Sequence, residues 1–263
     1  MQPRILTYDL AGAGDPLVLL PGGLTGWLSW IPLQGPLSAH HFVVRVQTIH
    51  NELGSEGVVG DVHYNSFTER ESLRLTLDEL QISTADFAGW SRGGGALLDF
   101  ALAYPSKVRT LTLIEPAAEW VLDESGRGAT LTDPETRVAM KKLAGREVSE
   151  DDLADLLVFA GLAGDAATVR SDPSWDQWVA HRMALSWPYE DVDPARRDLA
   201  NLADVSCPVL LVRGRSTGQW EYETVEVLAE HLPDARVVEL DGGHASHLEK
   251  QDEFLNELER FLH

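Results

Sequence analysis

Short β-rich runs bounded by glycine or proline recur along the chain, and between them apolar residues return at helical spacing. The runs are Ile5–Asp9, Leu17–Leu20, Phe42–Gln47, Ala85–Ala88 and Val108–Ile114, with two more late, Pro208–Arg213 and Arg236–Leu240. Runs such as L-V-L-L at 17–20 lack the alternation of a half-buried strand. That predicts strands covered on both faces, as in a parallel sheet. Helices are predicted over Thr68–Leu80, where Leu73, Leu77 and Leu80 share a face, and over Ala96–Ala103, Glu223–His231 and Glu249–Leu262. Strand and helix alternating in this way predict an α/β fold with a doubly wound, mostly parallel sheet.

One region breaks the alternation. Between Ile114 and Pro208 no convincing strand occurs, and helical periods fit Pro134–Leu143, Glu150–Leu162 and Pro173–Leu185. This is too long for one crossover. Residues 118–195 are therefore read as a helical cap over the carboxyl ends of the strands, where ligands bind in open α/β sheets. Residues 1–117 and 196–263 form the core.

Composition narrows the picture. With 263 residues, 44% of them apolar, the chain can bury a large core, and one domain with an insertion accounts for it. No apolar run approaches the roughly 20 residues that span a bilayer. The opening M-Q-P-R-I-L-T-Y-D-L lacks a basic stretch leading into an apolar one, so the expected location is the cytoplasm. The single cysteine, Cys207, excludes an intrachain disulfide and a cysteine-based zinc cluster. The net charge of −21 argues against nucleic acid and anionic membrane as partners, since both need clustered Lys and Arg. A small-molecule substrate is the expected partner, with a homodimer left open.

The strongest chemical signal is Gly89-Trp90-Ser91-Arg92-Gly93, preceded by a strand and followed by a helical pattern. A serine on so sharp a strand-to-helix turn needs small residues two before and two after it. Ser91 is the candidate nucleophile. The Arg92 side chain is free to point away, while its backbone N–H opens the following helix and can donate to an oxyanion. A histidine is expected after the last strand. His244, in D-G-G-H-A-S-H-L, is placed there, with His247 as a rival read as a capping or packing residue. A second oxyanion donor is expected after L-V-L-L, in P-G-G-L-T-G, and Gly23 is the candidate.

The acid is displaced from its usual place. The loop after Pro208–Arg213 runs G-R-S-T-G-Q-W with no carboxylate before Glu221. Strand Val108–Ile114 instead ends directly on Glu115. Glu115 is the expected acid, with Glu119 and Glu221 as alternatives, and Ser216 is read as filling the vacated position.

With these motifs the chain resembles the α/β-hydrolase fold family over nearly its whole length. Within it the chain is most similar to serine esterases and lactonases whose acid follows the family's sixth strand, the fungal zearalenone-lactone hydrolases among them. The resemblance implies a cap between the family's sixth and seventh strands, a Ser91–His244–Glu115 triad, and an oxyanion hole from the Gly23 and Arg92 amides. No metal or other cofactor is implied. The eight tryptophans fall in segments that surround one cleft in this fold, which predicts a pocket for a bulky apolar or aromatic substrate. Leu24, Trp27, Trp90, Trp187 and Trp220 are the candidate substrate-binding residues.

The expected reaction is hydrolysis of an ester or lactone through an acyl-enzyme. The alternative is a cofactor-free dioxygenase or C–C bond-cleaving enzyme on the same fold, with His244 as base and Ser91 only hydrogen-bonding the substrate. A non-catalytic receptor is disfavoured by the intact triad, and haloalkane dehalogenation by the absence of a carboxylate nucleophile.

Overall fold

The computed structural model describes residues 1–61, 63–130, 142–159, 164–188, 193 and 196–263. Seven strands, β1 (Tyr8–Ala11), β2 (Pro16–Leu20), β3 (Phe42–Val46), β4 (Ala85–Trp90), β5 (Val108–Ile114), β6 (Val209–Gly214) and β7 (Ala235–Leu240), form one sheet in the order β1-β3-β2-β4-β5-β6-β7. β1 runs antiparallel to β3 and every other pairing is parallel.

The apolar runs explain the layering. In β2, Val18 and Leu20 join one hydrophobic cluster while Leu17 and Leu19 join another. The same division recurs in β6, where Leu211 faces the first cluster and Leu210 and Val212 the second. Strands β2 to β7 therefore feed two cores, so alternation by polarity does not show in runs such as Leu17–Leu20. The first core is closed by Leu73 and Leu77, by Leu97 and Phe100 of helix Arg92–Ala103, and by Val225 and Leu228 of helix Gln219–His231. The second is closed by Leu33 and Leu37 of helix Ile31–Ser38 and by Phe254 and Leu258 of helix Gln251–Leu262.

Before β4, two α-helices have no counterpart among those predicted from the sequence. Ile31–Ser38 carries Pro36 in its interior, and Ile49–Ser55 spans only seven residues. The predicted terminal helix from Glu249 is broken at Lys250 into Ser246–Glu249 and Gln251–Leu262.

Between β5 and β6 the described residues are helical. They include Trp120–Glu124, Glu150–Phe159, Ala166–Arg170, Trp175–His181 and a 3₁₀ segment, Arg182–Ser186. Most of the helix read over Pro134–Leu143 lies outside the described residues. The first part of the region read as cap packs differently from the rest. Ala118, Trp120, Val121 and Leu122 belong to the first core, whereas Leu153, Leu157 and Val169 form their own cluster with Trp175 and Trp178. The helical segment Arg182–Ser186 seats on helix Ile49–Ser55 and the loop after it. A Cβ on Gly54 would lie 2.3 Å from the Ala184 nitrogen, and Gly60 donates its N–H to Ser186 Oγ at 2.7 Å. Among the described residues no helix is long and apolar enough to cross a membrane.

Candidate active site

Parallel strands bring their carboxyl ends together, and the ends of β2, β4, β5, β6 and β7 carry the candidate residues. β4 ends at Trp90, paired in register with Ile114 of β5, so Ser91 and Glu115 leave adjacent strands side by side. Ser91 adopts φ 52° and ψ −119°, a conformation that L-residues rarely hold. Three backbone hydrogen bonds impose it: Ser91 N–H to the Ile114 carbonyl at 2.9 Å, and the Ala117 and Gly95 N–H groups to the Ser91 carbonyl at 2.9 and 3.0 Å. The flanking glycines are sterically required. A Cβ on Gly89 would lie 2.7 Å from the Gly93 carbonyl oxygen, and one on Gly93 would lie 2.5 Å from that of Pro21.

Glu115 also holds a positive φ, 39°. The turn sends its side chain inward, where it is 1% exposed. Its Oε2 lies 2.6 Å from His244 Nδ1 and accepts from Thr217 Oγ1 at 2.7 Å, while Oε1 accepts the Gly214 N–H at 2.7 Å. Thr217, not Ser216 as read from the sequence, therefore occupies the vacated acid position. The second alternative, Glu221, lies 3.9 Å from His244 Nδ1. Burial is the largest influence on the His244 imidazole and favours its neutral form. The Glu115 hydrogen bond and charge, aided by Glu221, outweigh it and raise the pKa above 6.5. Among the described residues Ser91 Oγ makes no hydrogen bond to this ring; such contacts are often loose before substrate binds.

Gly23 lies against the side chain of Arg92, the residue after Ser91. The Gly22 carbonyl accepts from Asn51 Nδ2 at 2.8 Å. Because a trans peptide points its C=O and N–H in opposite directions, this bond turns the Gly23 N–H away from Asn51. The Arg92 N–H opens helix Arg92–Ala103, where first-turn amides point out from the helix start. The Arg92 side chain does not swing clear. It is buried, passes against Gly23, and donates to the Pro188 carbonyl at 2.8 Å and to that of Ala184 at 3.4 Å.

The tryptophans divide. Trp90 donates Nε1–H to the His244 carbonyl at 2.8 Å, and its ring lies where a Gly22 side chain would be. Trp220 is partly buried one residue before Glu221. Leu24 packs against the cap cluster of Leu153, Leu157 and Val169. Trp27 lies under the Arg45 guanidinium. Trp187 is a correction: it is 2% exposed, meets Tyr64 edge-on and donates to the Val58 carbonyl, so it packs the core and offers no surface to a ligand. Trp30 and Trp120 are likewise buried in the cores.

His247 is buried, wedged among Trp30, Trp90 and Phe254, and among the described residues neither ring nitrogen has a hydrogen-bond partner. Burial, followed by the charge of His244, pushes its pKa down to about 3, so it stays neutral. Glu115, Glu221 and His244 each bring one potential metal-ligand atom within 4.8 Å of the others. The 2.6 Å between Glu115 and His244 is a hydrogen-bond distance, shorter than two donors sharing one ion would keep.

The alpha/beta hydrolase fold model matches residues 15–251. The chain belongs to this family. The α/β-hydrolase is 27% identical over 252 residues to the candidate carbamate hydrolase RutD of Azorhizobium caulinodans, covering 91% of this chain and 88% of that protein. It is 25% identical over 268 residues to the pimeloyl-[acyl-carrier protein] methyl ester esterase of Aliivibrio salmonicida, covering 98% and 95%. In fold it is similar to the meta-cleavage product hydrolase CumD of Pseudomonas fluorescens IP01, with TM-score 0.71 at 19% identity over 97% and 93% of the two chains.

Sequence reasoning missed two polar residues of this α/β-hydrolase site and weighed a third, Glu221, only as an alternative acid. Asn51 sits on a helix too short to predict, and Thr217 in a loop read as merely lacking a carboxylate.

Proposed function

We propose that the enzyme hydrolyses a carboxylic ester or lactone through an acyl-enzyme on Ser91. The observation that carries the reading is the buried Glu115 carboxylate on His244 Nδ1, beside a serine held at φ 52°. Glu115 fixes the tautomer and leaves Nε2 to act as base. His244 takes the Ser91 proton as Oγ attacks the carbonyl carbon, and the Gly23 and Arg92 amides receive the oxyanion. The imidazolium returns its proton to the leaving alcohol. Water, deprotonated by the same imidazole, then releases the acid and restores Ser91. The helical region before β6 is read as a cap that sets substrate choice, with Leu24, Trp90 and Trp220 facing a bulky apolar group.

A second reading has His244 deprotonate the substrate while Ser91 only hydrogen-bonds it, and the missing Ser91–His244 hydrogen bond favours it. Labelling with a fluorophosphonate, followed by mass mapping, separates the two. The first reading expects adduct on Ser91, loss of label in Ser91→Ala and loss of p-nitrophenyl ester turnover with the fold intact. Ester turnover above about a tenth of wild type in Ser91→Ala removes it, since losing a triad member costs orders of magnitude.

A further inference from the structure

The triad of the proposed reaction leaves one buried ionisable group beside it without a role. Glu221 is 5% exposed in the first turn of helix Gln219–His231, and its Oε1 lies 3.9 Å from His244 Nδ1. Its Oε2 is buried and has no hydrogen-bond partner among the described residues. The chain makes room for it: a Cβ on Gly218 would lie 2.4 Å from Oε2, so the carboxyl fills the space a side chain would take. A buried carboxyl with an unpaired oxygen is unfavourable and should persist only where something offsets the loss.

We propose that Glu221 is a positioning residue for His244, a second carboxyl that holds the Nδ1 side of the imidazole and stands in for Glu115 when that residue is lost. This rests on the triad assigned above. The groups that face Glu221 are His244 from the loop after β7, Glu115 from the end of β5 and Glu119 just beyond it. The cations nearest along its helix are engaged elsewhere: Arg127 with Glu223 and Glu230, and Arg213 with Glu226 and Glu239. His244 is therefore the cation Glu221 answers to. Burial, with Glu115 adding repulsion against the pull of His244, raises the Glu221 carboxyl to about 7. Near neutrality the Glu221 carboxyl and the imidazole exchange protons as a coupled pair, and each proton gained by His244 favours loss of one from Glu221. An ionised Glu221 makes the imidazole more basic, and a protonated one leaves Glu115 to act alone.

The test reads the imidazole directly, so it does not depend on finding the substrate. The protein is labelled with ¹⁵N-histidine, His244 is assigned by its disappearance in His244→Asn, and its ring is titrated in wild type, Glu221→Gln, Glu115→Gln and the double variant. The expected result is a His244 pKa lower by roughly half to one pH unit in Glu221→Gln, as for loss of a charge a few ångströms away. Glu115→Gln is expected to keep part of the elevation, and the double variant to lose it. An unchanged titration in Glu221→Gln, or identical titrations in Glu115→Gln and the double variant, overturns the proposal. Should circular dichroism show Glu221→Gln unfolded, Glu221→Asp draws the carboxyl back by one methylene, and an unmoved His244 there overturns it equally. Ester hydrolysis is followed in parallel. A wild type without turnover counts against the hydrolytic reading and leaves the titration result standing.

Discussion

Thr217 donates its hydroxyl to the same Glu115 oxygen that holds His244, at 2.7 Å against 2.6 Å. The loop that carries no carboxylate before Glu221 thus supplies a hydrogen-bond partner to Glu115. A hydrogen bond to a charged group is worth about 1.5–3 kcal/mol, so Thr217→Val should lower kcat by roughly 10- to 100-fold with little change in KM. Steady-state kinetics check it. A Thr217→Val enzyme with wild-type kcat would show that Oε2 needs no second donor, while Thr217→Ser should restore most of the rate.

Asn51 governs the other half of the proposed chemistry. By holding the Gly22 carbonyl it fixes the plane of the peptide whose N–H is the proposed oxyanion donor. Asn51→Leu should cost kcat about 10²-fold, in the range seen when one oxyanion donor is removed, with KM nearly unchanged. A loss confined to KM would place Asn51 in substrate binding instead.

The raised pKa of His244 gives a pH dependence with a definite sign. The imidazole acts as base only when neutral, so activity is lost as pH falls through its folded pKa. The acid limb of kcat/KM should therefore have its midpoint above 6.5, because Glu115 and Glu221 hold the proton on. A profile from pH 5 to 9 decides it, and a midpoint below 6.5 contradicts the charge arrangement described.

His247 should be the site's acid weakness. Its pKa is depressed from 6.5 to about 3 in the fold, so the unfolded chain binds the proton first. Stability is intact above 6.5 and falls as pH drops toward 3, by about 4–5 kcal/mol in all. His247→Leu, similar in volume and without titration, should move the acid-unfolding midpoint to lower pH. An unchanged midpoint would mean that other groups control acid unfolding.

The sheet was legible because strands fed by two cores leave unbroken apolar runs, as at Leu17–Leu20 and Val209–Val212. Ser91, Glu115 and His244 were legible for a related reason: each directly follows a strand or sits on the loop after one, where residue type alone marks chemistry. Asn51 and Thr217 were not. Their partners, Gly22 and Glu115, lie 29 and 102 residues away, and no local spacing encodes such a meeting. Trp187 misled because an indole serves a pocket and a core equally well; a hydrogen bond to Val58 decided between them.

The Ser91 backbone is bonded on one side to Ile114 and on the other to Ala117, the residues that bracket Glu115 by one and two positions. Ser91 and Glu115 thus share a single mounting, and any breathing of the sheet carries both together. Only the histidine rides on a separate part, its loop fastened by Trp90 Nε1 and Glu115. Alignment of three groups is reduced to one adjustable joint. Wear on the enzyme by heat or sequence drift should show first there, as a loosened histidine arm above an elbow that still holds its shape.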